Sequence, residues 1–238
     1  MPEQGQLLLF GMAHWRTAAQ SISLPDSLPG YLLGYLAYRG DWIGRDTLLG
    51  LCWPDRGESA AQHNLRANLH RVRRLLGSWS MPHALEAEPG RLRLTLPTDV
   101  AAFRAAVGAG DWSAAAELQR EPLSTTLTYR GFPLLEEWAR VERAALLAVW
   151  RGSAIKAALQ YEAAGRAALA GDTLLSLLEA AGPTEDAVQA LLRVAPDAGR
   201  VDQALAHFER LRDMLRDDLG VEPLPVTTQL ARTLRLPA

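Results

Sequence analysis

The pattern of hydrophobic positions changes character near residue 97. Before it, short alternating stretches mix with helical stripes; after it, helical periodicity dominates. Gln6 to Phe10 and Ser21 to Leu24 are predicted as short strands separated by polar turns. Leu28, Leu32 and Leu36 recur every fourth residue and Gly40 follows them, which predicts a first helix. Leu48, Leu49 and Leu51 predict a second, short helix that must stop near Pro54. A third, longer helix is predicted from about Ala60 to Leu76, because Leu65, Leu69, Val72 and Leu76 are spaced 4, 3 and 4 apart. Gly77 stands where a C-terminal cap glycine belongs. Leu92, Leu94 and Leu96 then alternate with Arg91, Arg93 and Thr95 behind a Pro89-Gly90 turn, with Leu85 to Glu88 leading in: a β-hairpin.

After Thr98 the pattern predicts helices over Asp99 to Val107, Trp112 to Gln119, Pro133 to about Ala164, Ala167 to Ala181, Glu185 to Val194 and Val201 to Leu215. Gly110, Gly131, Gly165, Gly182-Pro183, Pro196 and Gly199-Arg200 punctuate them, and Gly171 falls inside one. Consecutive amphipathic helices with short connections suggest a helical-repeat array, although the pieces share no clear sequence period.

The third helix carries the chemistry. With Leu65 at the centre of the apolar stripe, Leu69, Val72 and Leu76 fall within about 40° of it at ~100° per residue. His63, Ala67, His70 and Arg74 fall opposite, flanked by Arg66 and Arg71. A helix entering a DNA major groove needs such a face. A small residue permits close approach, arginine pairs bidentately with guanine, and peripheral arginine grips phosphate. The bland alternative is a solvated face. Two neighbours favour the sharper reading. A short helix and a turn precede the segment, as in a helix-turn-helix. The following hairpin carries Arg91 and Arg93, as in a wing that reaches a minor groove. Arg93 is equally readable as a solvated strand residue. The expected fold is mainly α: an N-terminal winged helix-turn-helix (α+β) domain over 1–97, then an all-α, TPR-like helical-repeat domain over 98–238.

Composition refines this picture. The chain has 238 residues and a formal net charge of −2, which looks indifferent to nucleic acid. Residues 1–97, however, hold 10 basic and 8 acidic side chains, whereas the rest holds 15 and 19. The stretch from Asn64 to Gly77 contains four arginines and no acid. Such asymmetry suggests one half that meets a polyanion and one that meets proteins. Lys156 is the only lysine among 25 basic residues, so every cation of the third helix is a planar guanidinium fork. No apolar run reaches the ~18–20 residues of a membrane helix, and Met1-Pro2-Glu3-Gln4 is not the basic start of a secretory signal. One cysteine, Cys52, cannot form an intrachain disulfide, so a cytoplasmic protein with a buried, inert thiol is expected.

At the level of motifs the chain resembles the Streptomyces antibiotic regulatory protein family. Residues 6–97 are similar to its OmpR-type winged helix, and residues 98 to about 234 to its bacterial transcriptional activator domain. The first half matches at Leu32-Leu33-Gly34-Tyr35-Leu36-Ala37, at Arg45-Asp46-Thr47-Leu48-Leu49-Gly50-Leu51-Cys52-Trp53-Pro54-Asp55, at the helix from Asn64 to Gly77, and at Pro89-Gly90-Arg91-Leu92-Arg93-Leu94. In the second half, Asp99-Val100 with Phe103, Glu137 to Arg143, Ala204-Leu205 with Phe208 to Arg212, and Asp218-Leu219-Gly220-Val221-Glu222-Pro223 follow the family pattern. The resemblance implies a transcription regulator, usually an activator, that binds direct repeats near promoters, contacts RNA polymerase and forms a homodimer. Its larger relatives add nucleotide-binding or receiver modules, which are not expected here. Pro25-Asp26-Ser27-Leu28-Pro29 stands where the family is often basic, which weakens an expected phosphate contact. Arg91 stands where an aromatic is usual, and Gly182-Pro183-Thr184-Glu185-Asp186 replaces an Asp-Pro-x-x-Glu junction.

On this reading His63, Arg66, His70 and Arg74 face bases or nearby phosphates and Arg71 takes phosphate. Arg45, at the start of the second helix, and the wing residues Arg91 and Arg93 add backbone or minor-groove grip. No enzyme, cofactor or metal is expected. There is no HExxH, Walker A or GxGxxG motif, and His63 and His70 are seven residues apart, too far to share a metal. Adjacent acids such as Glu136-Glu137 diverge by about 100° on a helix and cannot act as an acid/base pair. Trp53, Trp112, Trp138 and Trp150 are expected in cores, and Trp42 and Trp79 in loops as partly buried or contact residues. The rival function is a helical-repeat scaffold whose winged helix binds protein. A small-molecule site would suit a repeat array, but no residue cluster in the sequence marks one.

Overall fold

A computed structural model describes residues 5–119 and 121–235. The stretch Met1-Pro2-Glu3-Gln4, read above for a signal, lies outside the described residues. Three short strands open the fold, β1 (Gln6–Leu8), β2 (His14–Arg16) and β3 (Ser21–Ser23), followed by α1 (Leu28–Arg39), β4 (Ile43–Gly44), α2 (Arg45–Cys52) and α3 (Glu58–Ser78). The hairpin β5 (Leu85–Glu88) and β6 (Arg91–Leu94) comes next. Helices then run as α4 (Asp99–Ala109), α5 (Trp112–Leu118), α6 (Pro133–Ala163), α7 (Ala167–Ala181), α8 (Glu185–Ala198), α9 (Val201–Met214) and α10 (Pro225–Arg235), with a π-helical turn at Leu215–Leu219 between the last two. The molecule is therefore mainly helical, a winged helix-turn-helix followed by a TPR-like array.

The chain forms two compact units. One contains the described residues of Met1–Ala105 and Glu121–Leu146, the other those of Ala106–Arg120 and Leu147–Ala238. In the first, β1, β2 and β3 form an antiparallel meander, and a second antiparallel sheet has the order β4-β6-β5. Its core combines Leu32, Leu33 and Leu36 of α1, Leu48 of α2, the Leu65/Leu69/Val72/Leu76 stripe of α3 and Leu92 and Leu94 of the hairpin, all at most 2% exposed. Asp99 staples this unit. Its carboxylate accepts the N–H groups of Leu9 at 2.8 Å, Phe10 at 2.9 Å and Val100 at 2.8 Å. The Glu137–Arg143 motif also serves packing. Trp138 meets Tyr35 and Tyr38 edge-on with ring centroids 4.7 and 5.2 Å away. Tyr38 donates its hydroxyl to Glu142, and Arg143 donates to the carbonyls of Leu123 and Ser124 at 2.7 and 2.8 Å.

In the second unit α7 packs on α8, α8 on α9, and α10 on both α8 and α9. Helix α8 is buried on most of its circumference, through Val188, Leu191, Leu192, Val194 and Ala195, because neighbours cover both its sides. Gly171 lets α7 approach the end of α8: a Cβ there would stand 3.0 Å from that of Ala198. Glu185 fastens α10 by accepting from the Leu224 N–H and the Thr227 hydroxyl at 2.5 and 2.6 Å.

Several local expectations are corrected. Strands β2 and β4 span only 3 and 2 residues, too few for alternation to show. Helix α3 passes through Gly77 to Ser78, and Ser80 rather than a glycine takes the left-handed conformation, at φ 60°. Pro196 lies inside α8, one turn from its end at the left-handed Gly199, where its missing N–H removes a single helical hydrogen bond. Helix α10 is an addition to the helices expected above; Thr227 and Ala231 are its buried residues. Trp79 is buried, not a loop contact, because its ring stacks on Trp15 with centroids 5.2 Å apart. Trp150 is buried as expected, whereas Trp53, Trp112 and Trp138 are half-buried at the margins of their cores.

Candidate nucleic-acid interface

Helix α3 buries its leucine stripe and leaves Arg66, Ala67, His63, His70, Arg71, Arg73 and Arg74 exposed. The amphipathic spacing read in the sequence thus becomes a cationic surface in space. Arg66, Arg73 and Arg74 make no ion pair among the described residues. Arg71 leans back on Asn68, donating to its Oδ1 at 3.4 Å, while Asn68 donates to the Asn64 carbonyl at 2.8 Å. A buried asparagine on the stripe side is satisfied in this way by its own helix.

One edge of α3 borders a cleft of about 540 Å3. Arg45 at the start of α2, Arg66, Arg73 and Gln62 of α3 and Gly90 at the hairpin turn line it, with Asp46 as the acid among them. The hairpin is held there by the Arg45 N–H donating to the Gly90 carbonyl at 2.8 Å. The left-handed φ of 78° at Gly90 makes the two-residue turn with Pro89 and sets the backbone for that bond. Arg45 and Arg66 were identified from sequence. Arg73 and Gln62 were not, because a wheel centred on Leu65 places them at the border of the apolar stripe; their place at the cleft follows from how α2 and the hairpin pack beside α3.

The wing cations are arranged differently. Arg91 pairs with Glu88 at 2.6 Å and Arg93 with Glu86 at 2.6 Å. Both guanidinium groups also stand over the Trp42 ring, 4.6 and 4.8 Å from its centroid. The Arg93 guanidinium holds the Glu86 carboxyl below the usual carboxylate range. Trp42 is therefore a platform for the hairpin arginines, a role its place in the sequence did not reveal. Cys52 is buried, and desolvation pushes its thiol up to about 12, so it stays protonated and unreactive. No helix among the described residues is long and apolar enough to cross a membrane.

Residues 97–235 match the family described as the bacterial transcriptional activator domain. Among solved structures the chain is similar to Mycobacterium tuberculosis EmbR, determined in complex with a low affinity phosphopeptide. The two share 23% sequence identity at a TM-score of 0.65, over 99% of this chain and 66% of that one. The chain thus spans just under two thirds of that relative, and at this identity the likeness is one of fold. No curated protein matches the sequence. With the family match covering more than half of its length, the chain belongs to the bacterial transcriptional activator domain family, which is one of transcription regulators rather than of enzymes, as its resemblance to the Streptomyces antibiotic regulatory proteins implies.

Proposed function

We propose that the protein is a sequence-specific activator that binds double-stranded DNA through residues 1–97 and RNA polymerase through residues 98–238. The observation that carries the reading is the exposed face of α3, where Arg66, Arg73 and Arg74 stand free of ion pairs among the described residues. On this reading α3 enters the major groove. His63, Arg66, His70 and Arg74 reach bases or the nearest phosphates, and Arg71 exchanges Asn68 for phosphate. Arg45 and Arg73 hold the backbone at the cleft beside the hairpin. Arg91 and Arg93 contribute once they exchange Glu88 and Glu86 for DNA, and exposed ion pairs of this kind are worth only about 0–1 kcal/mol.

The family supports a promoter-proximal site built of direct repeats, occupied by a homodimer in the cytoplasm. A mobility-shift titration on genomic promoter fragments tests the reading. A retarded species is expected, with log K falling against log salt at a slope near −4 to −5 for roughly five phosphate contacts. No retarded species at low salt would instead favour a scaffold that binds protein.

A further inference from the structure

The second unit contains a cavity of about 490 Å3 that DNA binding does not use. It lies among α5, the part of α6 from Trp150 onward, and α7. Its size falls in the range of small-ligand sites, roughly 300–1,000 Å3. Trp150 and Leu169 give it an apolar wall, Tyr161 a half-buried ring, and the exposed Glu117, Asp172 and Glu179 its charge; among the described residues no basic one lines it. The indole N–H of Trp150 is committed to the Ala116 carbonyl at 3.0 Å, so that ring acts as a fixed wall rather than a donor.

Two of the lining side chains already hold guanidinium groups of this chain. Arg166 stands 5.1 Å from the Tyr161 ring centroid, and Arg200 pairs with Asp172 at 2.9 Å. Glu117 and Glu179 make no ion pair among the described residues, so the described lining keeps a negative surplus. The neighbouring His207 does not cancel it. That ring is 3% exposed and its Nδ1 has no hydrogen-bond partner among the described residues. Burial, then the Arg210 charge, keep it neutral by lowering its pKa against the opposing pull of Glu179. An aromatic wall beside unneutralised carboxylates selects positive charge attached to an apolar body.

We infer that this cavity binds an organic cation with an apolar body. The ammonium or guanidinium group meets Glu117 and Glu179, and the body packs on Trp150 and Leu169. The group is carried either by a free amine or by a side chain of a partner protein. The inference is independent of the DNA reading, since none of these residues belongs to the α3 surface.

Calorimetric titration of the full chain tests it with three probes: tryptamine, its anionic counterpart indole-3-propionate, and Nα-acetyl-arginine methylamide. At least one cation is expected to bind saturably, and tryptamine about tenfold tighter than indole-3-propionate. Tighter binding of tryptamine assigns the site to a free amine; tighter binding of the capped arginine assigns it to a partner side chain. The double variant E117Q/E179Q should weaken the bound cation about tenfold with the melting temperature unchanged. Should that variant not fold, Ser176→Trp, which fills the cavity from an exposed position, must abolish binding. Equal affinity for the anion, no saturable binding of either cation, or undiminished binding by the folded variants would overturn the inference.

Discussion

Asp26 Oδ1 accepts the backbone N–H of Thr128 at 2.8 Å, although the two residues lie 102 positions apart. The same carboxylate accepts the Tyr31 hydroxyl at 2.8 Å and the Thr128 hydroxyl at 3.0 Å. The acid that replaces an expected cation before α1 is thus a clamp between the approach to that helix and the segment leading into α6. Donation from the Thr128 N–H is the main reason that its carboxyl is held below the ordinary value.

A group whose folded pKa is depressed contributes stability above its unfolded value and loses it as pH falls through the folded one. Asp26→Asn is therefore expected to cost about 1 kcal/mol at neutral pH, a modest figure because the side chain is exposed. The gap between variant and parent should begin to narrow as the pH falls below about 4, the unfolded value, and vanish only below the lower folded one. Urea unfolding at pH 7, 4 and 3 measures this; a gap that stays constant would mean that the charge contributes nothing.

Gly30 offers a test in which two effects oppose each other. It lies in the first turn of α1, where alanine would ordinarily favour the helix by about 1 kcal/mol. A Cβ at this position would stand 2.0 Å from the Pro25 carbonyl oxygen, a backbone atom held by the Pro25–Ser27 turn. Gly30→Ala is expected to destabilise by roughly 2 kcal/mol or more, since overpacking costs of about 1–3 kcal/mol assume neighbours that can give way. Thermal melting decides the sign.

The α3 arginines should act through phosphate and base alike. Arg73→Ala, at the cleft, is expected to weaken all DNA sequences in similar proportion and to flatten the salt slope by about 0.9 for the phosphate lost. Arg66→Ala and Arg74→Ala should in addition relax preference at individual base pairs, at about 1–3 kcal/mol for each bidentate contact. Fluorescence anisotropy on operator and scrambled duplexes, across a salt series, separates the two effects. Unchanged affinity in the Arg66/Arg74 double variant would remove α3 as the reading helix.

The hairpin predicts a gain of function. Glu86 and Glu88 pair with the two arginines that the proposed function brings to DNA. The variant E86Q/E88Q frees both while leaving Trp42 as their platform. Affinity at low salt is expected to rise about threefold to tenfold, with a steeper salt dependence. If affinity is unchanged, Arg91 and Arg93 do not reach the duplex.

Much of the candidate interface was legible in one dimension. The spacing of Leu65, Leu69, Val72 and Leu76 determines which side of α3 is buried, and therefore that Arg66, His70 and Arg74 are outside. The alternation of Leu92 and Leu94 with Arg91 and Arg93 similarly determines the hairpin. The breaks at Gly110, Gly131, Gly165, Gly182 and Gly199 are all left-handed or otherwise positive in φ, conformations that glycine reaches without a Cβ penalty. These features depend on neighbours within a turn or a strand pair, so local pattern suffices.

What the tertiary structure alone decided are the pairings between distant segments. Trp79 on Trp15, Trp138 on Tyr35 and Tyr38, Arg91 and Arg93 over Trp42, and Asp26 on Thr128 join residues whose separations carry no periodic signal. The same holds for Arg73 at its cleft and for Glu117 and Glu179 at their cavity. Helical period states which face of an element is apolar. Which other element covers that face, and which polar groups the covering leaves open, depends on shape and reach across the whole fold, and becomes definite only when the chain is packed.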